Sequence, residues 1–409
     1  MPAELDLMPV PRRVLLTATL VACVTAAPVL VHNYLPAGWP LDVTQHAVGR
    51  DFINIWAAGR LLLEGSAATL FDVEGYVSAL HRLFDPALQR HFWSYPPTSF
   101  LLALPFGAMP YGAALALWTI AGLAMFIAAA RIALEPAAAR SVLPLLIIAP
   151  ATIINIICGQ NGFLTAALLA AGFLLLERRP VLAGVFLGLL SYKPHLGIVV
   201  APALVALGAW RAIAAATAAA LALALASVIA FGLEPWRLFL TVTVPNQAVV
   251  LAAFEDGFRL MLVSPYGWFR QLGLPHGLAA GLQGAAALVT VTAVVWLVRS
   301  TKDSDIALGL VGLGAFIASP YALTYDLPIV ALVIARLAVR NNGWTSGEDW
   351  LLGAAWAAPM LAIPFVLAGL PVAAPVLALA FAALCRRVIC ADTAQKHPIG
   401  PFIALWRRS

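Results

Sequence analysis

Charge is what this sequence has least of. Asp, Glu, Lys and Arg make up 11% of its 409 residues, where soluble domains carry about a quarter. So sparse a charged surface excludes an ordinary soluble enzyme. Cysteine is scarce as well. Cys23, Cys158, Cys385 and Cys390 lie scattered in apolar segments, with no CxxC pair and no metal-ligand spacing. That excludes a disulfide framework and reads as core packing. There is no Gly-rich phosphate loop, no internal repeat and no stretch polar enough for a separate soluble domain. The net charge of +5 is too small for a nucleic-acid footprint and reads as loop bias toward the cytoplasm, so no nucleic-acid partner is expected.

Apolar length is what the chain has in excess, with 62% hydrophobic residues. Runs of about 18 apolar residues are candidate membrane helices, and Val14–Val31, Gly112–Ala130, Ala212–Phe231 and Gly277–Val298 all qualify. The expected fold class is an all-α polytopic membrane protein surrounded by lipid. Arg12-Arg13 ahead of the first run resembles the start of a signal peptide, but the run is long for one and reads as a retained first helix.

Basic clusters mark cytoplasmic helix ends. Placing Arg12-Arg13, Arg178-Arg179, Arg211, Arg299 with Lys302, Arg336 with Arg340, and Arg386-Arg387 inside gives twelve crossings in one integral membrane domain, 1–409. The crossings fall near 14–34, 98–110, 111–132, 162–177, 180–193, 195–209, 212–232, 277–299, 305–320, 327–340, 350–368 and 371–387, with both termini inside. Residues 141–157 are apolar enough to cross, but Pro144 and Pro150 interrupt them, which predicts a broken or re-entrant segment sheltered by protein. Several crossings are short, as in a bundle whose helices shelter one another.

Two loops, 35–97 and 233–276, are then extracytoplasmic. In the first, Phe52, Ile55, Trp56, Gly59 and Leu62 recur at helical spacing, as do Val73, Tyr76, Leu80 and Leu83. Neither run can span, so both are expected as helices in the membrane interface, with Trp56 and Trp93 as anchors. Arg60 and Glu64, four apart, are expected to pair on the exposed face. The second loop holds Pro245-Asn246-Gln247, Glu255-Asp256, Arg259 and "SPYGWFR".

Polar residues gather at the outer ends of the membrane segments, where ionisable groups are costly enough to mark function. Asp51 opens the first short helix. Tyr95 lies in "SYPPTSF" (94–100), Gln160 and Asn161 in "CGQNG" (158–162), Lys193 and His195 in "SYKPHLG" (191–197), and Tyr321, Tyr325 and Asp326 in "SPYALTYD" (319–326). Each also has a structural reading. Asp51 is placed to N-cap its helix. Lys193 and His195 are placed to snorkel, and Tyr95 to anchor at the interface. Gln160 and Asn161 can satisfy the backbone of a broken helix, and Tyr325 and Asp326 can cap the helix from Leu327.

Taken in order, "DFINIWAAGRLLLEG", "YPPTSFLLALPFGAMP", "CGQNGFLTAALLAAGFLLLERR", "LAGVFLGLLSYKPH" and "SPYALTYD" resemble the bacterial polyprenyl-phosphate-dependent glycosyltransferases of family 87. The resemblance runs from residue 51 to about 326. It implies the GT-C membrane fold in the bacterial inner membrane, with the active site on the extracytoplasmic side. It also implies transfer of a sugar, mannose foremost, from a polyprenyl-phosphate donor to a lipid- or glycan-linked acceptor. Asp51 matches the aspartate taken as base, and Lys193 the basic position of the family's Lys-Pro-Gln/His element, with His195 beside it for the donor phosphate. Tyr95, Gln160, Asn161, Tyr321, Tyr325 and Asp326 are then pocket residues. Where relatives often carry histidines after the Ser-Pro, this chain has Tyr321, Tyr325 and Asp326, which leaves the donor sugar open.

The residue types suit such chemistry. An acceptor hydroxyl needs a base, while a phosphate leaves without a general acid and needs a cation for its growing charge. One base attacking opposite the leaving group gives inversion. No cofactor is expected, and no separated carboxylate pair points to a metal, since Glu255 and Asp256 are adjacent. A transporter or flippase for a lipid-linked sugar is the other reading, and it predicts repeats that the chain lacks.

Overall fold

The computed structural model describes residues 10–340 and 345–396. Among these the sole sheet is a two-stranded ribbon, Pro36–Gly38 with Leu41–Asp42; nearly everything else regular is helix. Ala- and Leu-rich runs favour helix intrinsically, and in hydrocarbon a helix satisfies its backbone from within.

Six helices are long and apolar enough to cross a membrane: Pro11–Tyr34, Tyr111–Ala130, Trp210–Phe231, His276–Leu297, Gly347–Leu367 and Ala373–Ala391. A seventh is available if Pro136–Ile148 and Pro150–Cys158, bent by 53° at their junction, form one span. The chain is therefore an all-α membrane protein. The break expected in 141–157 is present. It falls at Ala149, held extended (φ −56, ψ 134) by the proline that follows, while Pro144 sits inside an unbroken helix.

The other six expected crossings fall on helices of 8 to 15 residues, from Phe100–Gly107 up to Ser304–Ala318. At 1.5 Å per residue these reach roughly 12–22 Å, short of a hydrocarbon core of about 30 Å. Burial differs widely among them. In Gly162–Leu174 every residue but Leu164 is buried, and in Pro328–Arg340 every residue but the last two. In Trp210–Phe231 only Ala212 and Ser227 are buried, and Leu221 and Ile229 stand 64% and 77% exposed. Gly162–Leu174, Ser304–Ala318 and Pro328–Arg340 thus lie at the centre, while the short helices Pro180–Leu189 and Gly197–Ala206 are mostly unburied, as the long Trp210–Phe231 is.

Three local expectations are corrected. The Phe52–Leu63 helix does not lay an apolar face on lipid, because protein covers all of it except Arg60 and Leu63. Gly59 permits this. A Cβ there would run into the backbone of Ala103 and Gly107, so the helix packs against Phe100–Gly107 with no side chain between. Trp56 and Trp93, expected at an interface, are buried, and the Trp56 indole donates to the Met109 carbonyl at 2.9 Å. Arg60 and Glu64 do not pair. Glu64 is held by Arg82 at 2.8 Å, and Arg60 lies over the Trp56 ring, 5.5 Å from its centroid.

Arg336, read from sequence as part of a cytoplasmic basic cluster, is fully buried. Its Nε contacts Asp305 Oδ1 at 2.6 Å, and its Nη1 donates to the carbonyls of Ala130 and Ile132, both at 2.7 Å. Arg340 takes the other Asp305 oxygen at 2.7 Å. One carboxylate therefore ties Ser304–Ala318 to Pro328–Arg340 and, through Arg336, to the end of Tyr111–Ala130. The 233–276 segment is a run of short helices, Glu234–Leu238, Val244–Ala253, Asp256–Met261 and Pro265–Gln271, with a π-helical turn at Phe239–Thr243.

Candidate active site

Two glycines bring the first polar stretch to the third. Gly49 (φ +86) and Arg50 (φ 40) put a left-handed turn just before Asp51. Gly159 (φ +56) closes the Pro150–Cys158 helix with a left-handed cap. A Cβ on Gly159 would strike the Gly49 carbonyl, so the two loops meet backbone to backbone. The Asp51 N–H donates to the Cys158 carbonyl at 3.1 Å. Trp118 donates to the Gly159 carbonyl at 3.0 Å and the Tyr111 hydroxyl to that of Val48 at 2.7 Å, clamping both loops.

Arg50 anchors the turn. It pairs with buried Asp42 at 2.8 Å, donates to the Asn33 carbonyl and to Thr44 Oγ1 (3.1 Å), and lies over the Tyr34 ring 4.2 Å from its centroid. Nothing in the sequence singled out this arginine, because its partners lie on the far side of a loop.

Although Asp51 precedes a helix, its side chain makes no capping hydrogen bond. Its Oδ2 accepts from Gln160 Nε2 at 3.0 Å. Gln160 Oε1 in turn accepts from the Tyr95 hydroxyl (3.2 Å) and from the Asn161 N–H (3.0 Å), and Asn161 Nδ2 donates to the Tyr95 oxygen (3.0 Å). Four of the expected site residues thus form one network. Burial raises the Asp51 carboxyl above its ordinary value. The Gln160 hydrogen bond and nearby Arg50 pull it down, and Asp326 adds a push upward. The balance makes the ionised group a better proton acceptor.

Beside this network Lys193 and Asp326, both buried, form an ion pair. Lys193 therefore does not snorkel, and the Asp326 carboxylate is engaged by a cation. Asn155 Nδ2 donates to the Tyr325 carbonyl at 2.8 Å, and Thr165 Oγ1 lies 2.7 Å from the Tyr192 hydroxyl. These contacts dock the "SPYALTYD" and "SYKPHLG" stretches on the helices flanking "CGQNG". Sequence reasoning missed Asn155 and Thr165, which lie inside apolar runs and read as core, and passed over Tyr192 beside Lys193 in the "SYKPHLG" stretch. Two expected residues join through neither of these hydrogen-bond sets. The half-buried His195 side chain makes no hydrogen bond among the described residues but lies within electrostatic reach of Lys193 and Asp326. Tyr321 packs in the apolar cluster that also holds Tyr325 and Cys158. The meeting stretches also carry buried polar atoms with no partner among the described residues: Asn161 Oδ1, Ser191 Oγ and Thr324 Oγ1.

No curated protein and no solved structure matches the chain. A family match covers residues 93–320, more than half of the chain, and takes in three of the five stretches that build this centre, Asp51 and Asp326 lying outside it; the chain belongs to glycosyltransferase family 87.

Proposed function

We propose that the protein transfers a sugar, mannose foremost, from a polyprenyl-phosphate donor to an acceptor hydroxyl with inversion, at the extracytoplasmic face of a bacterial inner membrane. The observation that carries this reading is the Asp51 carboxylate, which is released from capping, fixed by Gln160 and raised in basicity. It lies within electrostatic reach of the Lys193–Asp326 pair. In this reaction the acceptor oxygen attacks the anomeric carbon and passes its proton to Asp51. The bond from that carbon to the phosphate oxygen breaks, and the polyprenyl phosphate leaves with its charge. An ammonium group has three donors. Asp326 engages Lys193 and leaves N–H groups for the phosphate, whose charge a water-poor site stabilises strongly. Asn161 Oδ1, Ser191 Oγ and Thr324 Oγ1 are an acceptor-and-hydroxyl set suited to sugar hydroxyls. Membership of a transferase family speaks against the flippase reading.

Lys193→Ala is expected to lower transfer at least about tenfold, the scale of 1.4 kcal/mol, with Lys193→Arg partly tolerated. Because the alanine variant also strands a buried carboxylate, Lys193→Ala/Asp326→Asn separates the two effects. The double variant should regain thermal stability and stay inactive. Transfer at the wild-type rate by either alanine variant, at matched expression, would return Lys193 to a purely structural role.

All twelve expected segments crossing, with the basic clusters inside, belongs to the same reading. Ala68 and Arg179 are both exposed. Single cysteines placed there, in a background without the native four, should react with an impermeant thiol reagent from opposite sides of the membrane. Reaction from one side would overturn the one-faced site.

A further inference from the structure

The lysine assigned to the leaving phosphate sits between helices rather than on one. Lys193 separates two single 3₁₀ turns, Leu190–Tyr192 and Pro194–Leu196, and its own backbone is helical in neither (φ −125, ψ 71). Something other than a helix must therefore fix where its ammonium group points. Among the described residues, the side chains of this linker make two hydrogen bonds, Lys193 to Asp326 and Tyr192 to Thr165. The first belongs to the charge pair already described. The second involves no charge, and it leads back to the base.

Thr165 and Tyr192 are both buried, with their hydroxyl oxygens 2.7 Å apart. Thr165 Oγ1 also lies 3.1 Å from the Asn161 carbonyl, which has no proton to give. The Thr165 proton therefore goes to that carbonyl, and the Tyr192 hydroxyl donates to Thr165. From Asn161 the chain of contacts continues. Its N–H donates to Gln160 Oε1 at 3.0 Å, and Gln160 Nε2 holds Asp51 at 3.0 Å. Base and lysine are thus joined through the first turn of the Gly162–Leu174 helix.

Core packing alone gives no reason for the two hydroxyls. The Tyr192 ring packs in the main apolar cluster, where Phe would fill the same space, and Val has nearly the shape of Thr. Replacing both members of a buried polar pair by such groups can be nearly neutral for stability. What the pair adds is a fixed distance, because a satisfied buried hydrogen bond selects one arrangement where apolar surfaces can slide. We propose that Thr165 and Tyr192 are positioning residues that hold Lys193 in register with Asp51. The attacking oxygen and the departing phosphate are then aligned on one sugar carbon. This rests on the transfer reading above.

Tyr192→Phe, Thr165→Val and the double variant test this. Thr165→Val alone strands the Tyr192 hydroxyl in the core and should melt below wild type. The double variant strands nothing and should melt with wild type. Turnover is read as consumption of polyprenyl-phosphate mannose in native membrane vesicles. In the double variant kcat should fall at least about tenfold, since a misplacement of about 1 Å can cost about 10²-fold. Donor KM should change little, because Lys193 itself remains. The double variant should be no slower than the slower single, as expected of one link, and Thr165→Ser should keep most of the rate. On purified protein, the amides of residues 190–197 should exchange hydrogen faster in the double variant. Wild-type turnover by the double variant, or unchanged exchange over 190–197, overturns the register role. A double variant that melts lower and loses the donor makes the pair plain core packing and overturns it too. Faster exchange over 190–197, in a protein whose wild type ignores polyprenyl-phosphate mannose, leaves the tether standing and overturns the donor assignment alone.

Discussion

Asp51→Asn should express normally, melt within a few degrees of wild type, bind the polyprenyl-phosphate donor and transfer almost no sugar. Asn is as good an N-cap as Asp, and the Asp51 side chain makes no capping bond to lose. The amide oxygen can still accept from Gln160, so the loop keeps its anchor. Only the proton acceptor disappears, and loss of a general base costs about 10²–10⁴ in rate. The pH profile offers a second view of the same group. Transfer needs ionised Asp51, so activity should rise with pH through a carboxyl value held above the usual range by burial. Gln160→Leu removes the hydrogen bond that opposes burial and should move this acid limb to still higher pH. Full transfer by Asp51→Asn, measured on the same purified protein as donor binding, would leave Asp51 a structural residue. Loss of donor binding together with transfer would make it a pocket organiser, with the base elsewhere.

The largest stability loss is expected at Asp305→Ala. The substitution removes the carboxylate that faces both Arg336 and Arg340. Arg336 has no exposure through which to recover water. Breaking a buried pair from one side costs about 3–5 kcal/mol, because a charge is left uncompensated, whereas replacing both members by apolar residues is often neutral. Asp305→Ala should therefore lower the thermal transition sharply and open the chain to proteolysis. Asp305→Leu/Arg336→Met should recover most of the loss. A single variant as stable as wild type would mean that the Ala130 and Ile132 carbonyls suffice for Arg336.

These two predictions differ in how far they could be read from sequence. Asp51, Tyr95, Gln160 and Asn161 were legible because polar residues at the ends of apolar runs stand out against a composition with little charge to spare. The helices were legible for the complementary reason, that unbroken apolar length has few other uses. What surrounds a helix was not. Lipid and protein interior are both apolar, so hydropathy placed Trp56 and Trp93 at an interface although other helices cover them. Pairings across the fold were hidden too. Glu64 goes to Arg82 instead of to its helical neighbour Arg60, and Arg336 was counted as a cytoplasmic marker because its partner lies on another helix. The proline that breaks 141–157 could not be chosen from sequence either, since Pro144 and Pro150 look alike until neighbouring helices fix the bend.

The grip of Arg50 has a mechanical consequence. Through the Asn33 carbonyl, the Tyr34 ring and Asp42, this arginine welds the base-bearing turn to the end of the Val10–Tyr34 helix, so the two move as one lever. Long helices answer a change in bilayer thickness by tilting. A tilt of this helix pulls on the Asp51 turn, which the Cys158 carbonyl and the Tyr111 hydroxyl hold from the other side. The turn is thus the point where motion of the first helix meets the packed interior.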